Sequence, residues 1–94
     1  MSLEFEWDPL KAEKNRRKHG ITFLEGSTAF SDSSSLTIPD PDHSVFEHRL
    51  LHLGLSETGK LVVVSHTERS DRIRIISVRH ASKRERKQYE QNPL

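Results

Sequence analysis

The chain has 94 residues, is 32% hydrophobic, contains no cysteine and carries a formal net charge of +1 at pH 7. A chain of this length buries roughly two-thirds of its unfolded surface, so we expect one cytoplasmic domain over residues 1–94 with a thin core, not two domains or a deep enclosed pocket. The lack of cysteine excludes disulfides and thiolate metal sites, and the longest apolar run, residues 61–64, is too short to cross a membrane.

The first residues predict a strand followed by a helix. Residues 5–7 alternate between apolar and acidic side chains, as a short half-buried strand does. Asp8 then supplies a helix N-cap and Pro9 a preferred first helical residue. We therefore expect a helix over residues 9–18, and Gly20 follows it at the position where a left-handed C-cap is expected.

A second, shorter helix and a long loop come next. Thr22 and Glu25 have the spacing of a capping box, which predicts a helix that ends near Phe30. Residues 31–43 are rich in Ser, Asp and Pro, which compete with the backbone for hydrogen bonds and interrupt regular structure. We expect a loop there, with at most a brief extended piece at residues 36–38.

The remainder of the chain predicts an antiparallel meander and a last helix. Apolar segments separated by turn residues indicate strands at residues 48–56, 61–67 and 72–80. Ser82 and Glu85 have the spacing of a second capping box, and the helix that they begin reaches about Gln91. The fold class is therefore α+β: a small antiparallel sheet, made of the N-terminal strand and the meander, packed with two N-terminal helices and one C-terminal helix.

Positive charge is concentrated near the C-terminus. Residues 1–65 carry 7 Lys/Arg against 10 Asp/Glu, whereas residues 66–94 carry 8 against 4. This asymmetry favours a local anionic partner such as a phosphate backbone.

The last predicted strand exchanges its polar and apolar faces near residues 75–76. Arg74 occupies an even position, whereas Ser77 and Arg79 occupy odd positions, and side chains alternate in direction along a strand. Either both faces of a central strand are covered, or the strand contains a bulge at this point. In both cases Ser77 and Arg79 share a face near the end of the strand.

Arg79 is the main candidate for binding an anion, because paired guanidinium donors match phosphate oxygens. An ion pair with a neighbouring carboxylate is the alternative. Ser77 shares its face, and the first turn of the last helix offers free amides together with Lys83. Arg74 and Arg86 complete the candidate substrate-binding residues, although the charges of the last helix also fit an ordinary solvated face.

Four further residues are candidates for catalysis. His66 titrates near neutrality and is suited to acid or base chemistry, and Arg69, in the following turn, can reach over a substrate. Both also fit ordinary surface positions. Lys18 and His19 precede Gly20, where the helix dipole and the cap alone favour cations.

The sequence contains no motif for a cofactor or a metal ion. It has no Gly-rich phosphate loop, no pair of carboxylates at a catalytic spacing and no nucleophile elbow. His48 and His52 are about 13 Å apart if both lie in one strand, too far to share a metal. Arginine, lysine and histidine remain. They fit RNA cleavage, in which the 2′-hydroxyl is the nucleophile and the protein need only position it, move protons and stabilise charge.

One set of residues, distributed over nearly the whole chain, is shared with a known family: residues 5–9, Asn15, residues 18–23 and 30–32, Arg49, residues 54–56, 67–69, 75–79 and 84–86, and Tyr89. In these residues the sequence resembles the BrnT toxins of bacterial type II toxin–antitoxin systems. The resemblance implies a RelE-like fold and an endoribonuclease that cleaves mRNA and inhibits translation; cleavage through the 2′-hydroxyl itself needs no metal or other cofactor. The resemblance also implies a BrnA-like antitoxin as partner, with operator DNA bound only through the antitoxin complex.

The resemblance also bears on the site. It implies that Arg69 and Arg79 contact the phosphate, with Lys18, His19 and Lys83 as further candidates. No general base is evident in the sequence, so the alternative is a non-catalytic module of the same fold that binds nucleic acid or a protein partner.

Overall fold

The computed structural model describes residues 3–43 and 47–91, which contain five strands and three helices. The strands are β1 (Glu4–Glu6), β2 (Leu36–Pro39), β3 (Leu50–Leu55), β4 (Leu61–Arg69) and β5 (Arg72–His80). The helices are α1 (Pro9–His19), α2 (Phe23–Thr28) and α3 (Lys83–Glu90), and 3-10 turns occur at Ala29–Ser31 and Pro41–His43. The predicted α+β class is confirmed.

The strands form one sheet in the order β1-β5-β4-β3-β2. Strands β3, β4 and β5 are an antiparallel meander, as predicted. One feature differs from the prediction. Strand β1 runs parallel to β5, with Phe5 opposite Ile73, so the sheet is mixed. The brief extended piece expected at residues 36–38 is present as β2, which pairs with β3 through Thr37 opposite His52.

The sheet has two unlike faces. Helices α1 and α2 cover the face that we call the helical face, where Phe23, Val64 and Val78 belong to the main buried cluster. The opposite face, which we call the open face, carries a smaller apolar cluster that includes Leu53, and Tyr89 of α3 packs against it. Helix α3 therefore covers the apolar part of the open face and leaves its polar part accessible.

Strand β5 contains a bulge at the predicted position. Ser65 of β4 is opposite Ser77, but the next residue, His66, is opposite Ile75, so Ile76 has no partner in β4. An extra residue reverses the alternation of side chains beyond it. Of the two explanations offered by the sequence, the bulge is therefore the one that the structure supports.

The bulge gives β5 one polar face and one apolar face. Arg72 and Arg74 precede it, and Ser77 and Arg79 follow it, yet all four project from the open face. The residues that project from the helical face include Ile75, which is 1% exposed. Without the bulge, the two pairs of polar residues would lie on opposite sides of the sheet.

Helix α1 is fastened to β5 by a side chain. Strand β1 pairs only with residues 72–74 of β5, so the rest of this edge needs other partners. Asn15, 7% exposed, donates from Nδ2 to the carbonyl oxygens of Val78 at 2.8 Å and Ile21 at 3.2 Å. Its Oδ1 accepts the N–H of Val78 at 3.0 Å. This contact fixes β5 directly beside Arg79.

The predicted helix caps are largely confirmed. Asp8 caps α1, and Gly20 ends it in the left-handed region with φ 72°. Thr22 accepts the N–H of Glu25 at 3.0 Å. The carboxylate of Glu25 does not reach back to complete that capping box, because it accepts hydrogen bonds from Ser56 at 2.9 Å and Thr58 at 2.5 Å in the β3–β4 turn.

Candidate functional site

A polar cleft of about 320 Å³ opens on the open face, beside the bulge. Ser65 and Ser77 lie side by side in it as ladder partners, and Arg79 follows two residues later on β5. The described residues that line the cleft are Asp40, Asp42, His43, Arg49, Leu51, Ser65, Ser77 and Arg79. The structure therefore brings the predicted pair Ser77 and Arg79 together in one accessible site.

The guanidinium of Arg79 is held by a carboxylate on one edge. Its Nη1 donates to Oε1 of Glu85 at 2.7 Å and its Nη2 donates to Oε2 at 2.9 Å, while Nη1 also donates to the carbonyl oxygen of His80 at 3.3 Å. These bonds use three of the five N–H groups of a guanidinium. Within the described residues, Nε–H and the second Nη2–H, which lie on one edge of the planar group, have no recorded acceptor. We call this edge the free fork of Arg79.

The ion pair that the sequence offered as an alternative to anion binding is thus present, and it leaves donors for a ligand. Hydrogen bonding to Arg79 lowers the pKa of Glu85 to about 2. The same contact raises the pKa of Arg79. Both groups are therefore charged at neutral pH. Glu85 is also the third residue of α3, and its predicted capping box with Ser82 is complete.

Lys18 and His19 lie at the same end of β5 as Arg79. Burial, followed by the positive charges of Lys18, Arg79 and His80, lowers the pKa of His19. These groups are therefore within electrostatic range of one another, although neither Lys18 nor His19 is among the described residues that line the cleft. The left-handed cap at Gly20 ends α1 at this point and so sets their place.

Arg69 and Arg74 share the open face with Arg79 but lie near its other end. Arg74 donates to Oε2 of Glu6 at 3.0 Å, and Nη2 of Arg69 is 3.7 Å from Oε2 of Glu47. Surface pairs of this kind contribute little to stability. These arginines extend the charged surface beyond the cleft without lining it.

The structure gives no support for contact between His66 and a bound ligand. His66 is 2% exposed and projects from the helical face, where its ring lies 5.0 Å from that of Phe30 in an edge-on arrangement. Its Nδ1 donates to the carbonyl oxygen of Val64 at 3.1 Å, and burial lowers its pKa. His66 is buried because it shares the helical face of β4 with Val62 and Val64, which belong to the main buried cluster.

Lys83 and Arg86 are exposed on α3. Neither is among the described residues that line the cleft. Their position fits the solvated face that the sequence offered as the simpler interpretation.

Several residues of the cleft were not singled out as site residues by the sequence. Nδ1 of His43 lies 2.9 Å from Oδ2 of Asp40, and the N–H of Asp40 donates to the carbonyl oxygen of Arg49 at 2.9 Å. Asp40 and Arg49 lie at the two ends of the β2–β3 connection, and no local pattern in the sequence predicts that they meet. Arg49 alone carried a signal, as one of the residues shared with the BrnT toxins.

The described ranges contain neither a metal-binding cluster nor a membrane-spanning helix. Residues 3–43 and 47–91 contain no group of three or more His, Cys, Asp or Glu placed to hold a metal ion. Within the same ranges, no helix is long and apolar enough to span a membrane.

Comparison with known proteins identifies the family. Residues 7–85 match the family described as ribonuclease toxin, BrnT, of type II toxin–antitoxin systems. No curated protein sequence matches the chain. The crystal structure of the Brucella abortus ribonuclease toxin BrnT is 22% identical, superposes with a TM-score of 0.67, and the match covers 87% of this chain and 100% of that one. At this identity it establishes the shared fold. Since the family match spans most of the sequence, the chain belongs to the BrnT family of ribonuclease toxins of type II toxin–antitoxin systems.

Proposed function

We propose that this toxin is a metal-independent endoribonuclease that cleaves mRNA through the 2′-hydroxyl, with the scissile phosphate bound by Arg79 in the polar cleft. The free fork of Arg79 carries the proposal. Two parallel N–H donors match two phosphate oxygens, and such charge-assisted pairs are among the strongest hydrogen bonds in proteins. Membership of a ribonuclease toxin family supports RNA as the substrate.

The proposed reaction is an internal transesterification. The 2′-oxygen attacks phosphorus as its proton leaves, the bond from phosphorus to the 5′-oxygen breaks, and the departing 5′-oxygen takes up a proton. The products end in a 2′,3′-cyclic phosphate and a 5′-hydroxyl. Negative charge grows on the non-bridging oxygens, where the free fork of Arg79 stabilises it. The hydroxyls of Ser65 and Ser77 add neutral donors in the same cleft.

Two histidines near Arg79 are our candidates for proton transfer. His43 lines the cleft. His19 lies at the end of α1, and its lowered pKa favours the neutral form that a proton acceptor needs at pH 7. Lys18 adds positive charge at the same corner.

We assign the remaining cations to binding the RNA backbone outside the cleft. Arg74 lies on the open face roughly 15 Å along β5 from Arg79, and Arg69 of β4, opposite Arg72, is roughly 20 Å or more away. Lys83 and Arg86 are exposed on α3. Contacts of this kind hold phosphates without reading sequence, so they serve any mRNA.

We further propose a BrnA-like antitoxin that blocks this activity, and contact with operator DNA only through the toxin–antitoxin complex. Membership of a type II toxin–antitoxin family supports an antitoxin partner.

Induction of the chain in bacteria without an antitoxin tests the proposal. We expect growth to stop and cellular RNA to fragment, and we expect Arg79→Ala to restore both growth and intact RNA. Arg17→Ala is the matched control, because Arg17 is exposed on α1 and, within the described residues, pairs only with Glu13. Normal growth with intact RNA in the wild type would favour a non-catalytic binding module instead.

A further inference from the structure

We infer that Glu85 is a positioning residue, which holds the guanidinium of Arg79 so that its free fork faces the cleft. The inference rests on the proposed function, because it gives Glu85 a part in the reaction assigned to Arg79.

The direction from which Glu85 approaches supports this role. Arg79 lines the polar cleft, whereas Glu85 lines an adjoining apolar groove of about 160 Å³ between α3 and the sheet, on the other side of Leu51, which lines both. The described residues of that groove are Leu36, Ile38, Leu51, Leu53, Val63, Glu85 and Gln88. The carboxylate therefore contacts Arg79 from the side of the groove and is not among the residues that line the cleft.

Glu85 is itself held in place, so it can impose an orientation. Its Oε1 accepts the N–H of Ser82 at 2.8 Å as well as Nη1 of Arg79 at 2.7 Å, and its own N–H donates to Oγ of Ser82 at 3.2 Å. The first turn of α3 thus fixes the carboxylate, and the two-point contact fixes the plane of the guanidinium. A long side chain ordered in advance loses less freedom when its ligand binds.

The negative charge of Glu85 also affects the affinity of the cleft for RNA. A carboxylate beside Arg79 repels an incoming phosphate, and its removal relieves this repulsion while it loses the benefit of an ordered side chain, so the two effects on RNA affinity offset each other. Loss of orientation should slow the reaction, because misplacement of a catalytic group by about 1 Å can cost roughly 100-fold in rate. Binding and rate are therefore expected to change separately, which a purely structural role would not produce.

Glu85→Gln separates these effects in the purified protein. Glutamine at the third helical position still completes a capping box, so α3 should remain, but the charged two-point contact is lost. We expect kcat for cleavage of a short RNA to fall about 10- to 100-fold. The affinity for a 2′-O-methyl copy of that RNA, which cannot be cleaved, should be unchanged or several-fold higher. Glu90→Gln is the control, because it makes the same change at an exposed position of α3.

A second variant guards against loss of folding. Glu85→Asp keeps the charge and shortens the side chain, so we expect a lower kcat without tighter RNA binding. The melting temperature of each variant shows whether it is folded. The inference is overturned if either folded variant retains kcat within twofold of the wild type. It is also overturned if Glu85→Gln weakens RNA binding as much as Arg79→Ala does. Wild-type protein that leaves RNA intact refutes the proposed function itself. If only this inference fails, the wild type is active, Arg79→Ala is inactive and Glu85→Gln is fully active.

Discussion

Replacement of Asn15 by alanine tests the contact that holds α1 against β5 beside the cleft. The substitution removes three hydrogen bonds of 2.8–3.2 Å and leaves the N–H and carbonyl of Val78 without this partner. Val78 is 0% exposed, so water cannot replace the lost bonds without opening the core. A buried polar group left unsatisfied costs about 1–3 kcal/mol. We expect a total loss of about 3 kcal/mol, a large share of the roughly 5–15 kcal/mol that stabilises a typical domain.

Urea unfolding followed by circular dichroism measures this loss. Thermal melting gives a second measurement. A domain of this size loses about 4–8 °C of Tm for each kcal/mol of stability, so Asn15→Ala should melt roughly 12–24 °C below the wild type. Lys14→Ala, an exposed neighbour on α1, should change the free energy of unfolding by less than about 0.5 kcal/mol. A loss below about 1 kcal/mol for Asn15→Ala would refute the idea that these bonds fasten the helix to the strand.

Two further predictions concern the helical face. Burial lowers the pKa of His52 and His66 below 6.5, so the unfolded chain binds more protons than the folded one near that pH. The free energy of unfolding should therefore fall as pH drops below about 6.5. In urea titrations from pH 7.5 to 5, His66→Gln should flatten this decline, and an unchanged slope would contradict the prediction. A methyl group on Gly26 would lie 2.5 Å from Cγ2 of Val78, so Gly26→Ala should cost about 1–3 kcal/mol by overpacking. Adding Val78→Ala should recover part of that cost, and strictly additive losses would argue against the clash.

The features that the sequence predicted well depend on short-range chemistry. Asp8, Gly20 and the pair Ser82 and Glu85 were identified as caps because cap geometry needs particular side chains at fixed spacing. The bulge was also foreseeable, since the polar and apolar faces of the last strand exchange near residues 75–76. These local signals were sufficient to place Ser77 and Arg79 on one accessible face.

The features that the sequence could not supply depend on contacts between distant segments. A strand as short as Glu4–Glu6 carries too few alternating residues to fix its partner or direction. Two contacts join segments that no periodic pattern connects. Asp40 bonds to Arg49 beside the cleft, and Asn15 bonds to the backbone of Val78. The burial of His66 likewise depends on a distant residue, Phe30, whose ring packs against it.

The most direct test of the account is incubation of the purified chain with 5′-labelled RNA in the presence of EDTA, beside Arg79→Ala. We predict fragments that end in a 2′,3′-cyclic phosphate, and a rate for Arg79→Ala at least about 100-fold lower, the usual cost of removing a donor to a developing oxyanion. RNA that stays intact in EDTA but is cut when Mg²⁺ is restored, or equal cleavage by Arg79→Ala, would contradict the claim that Arg79 and the 2′-hydroxyl perform this reaction.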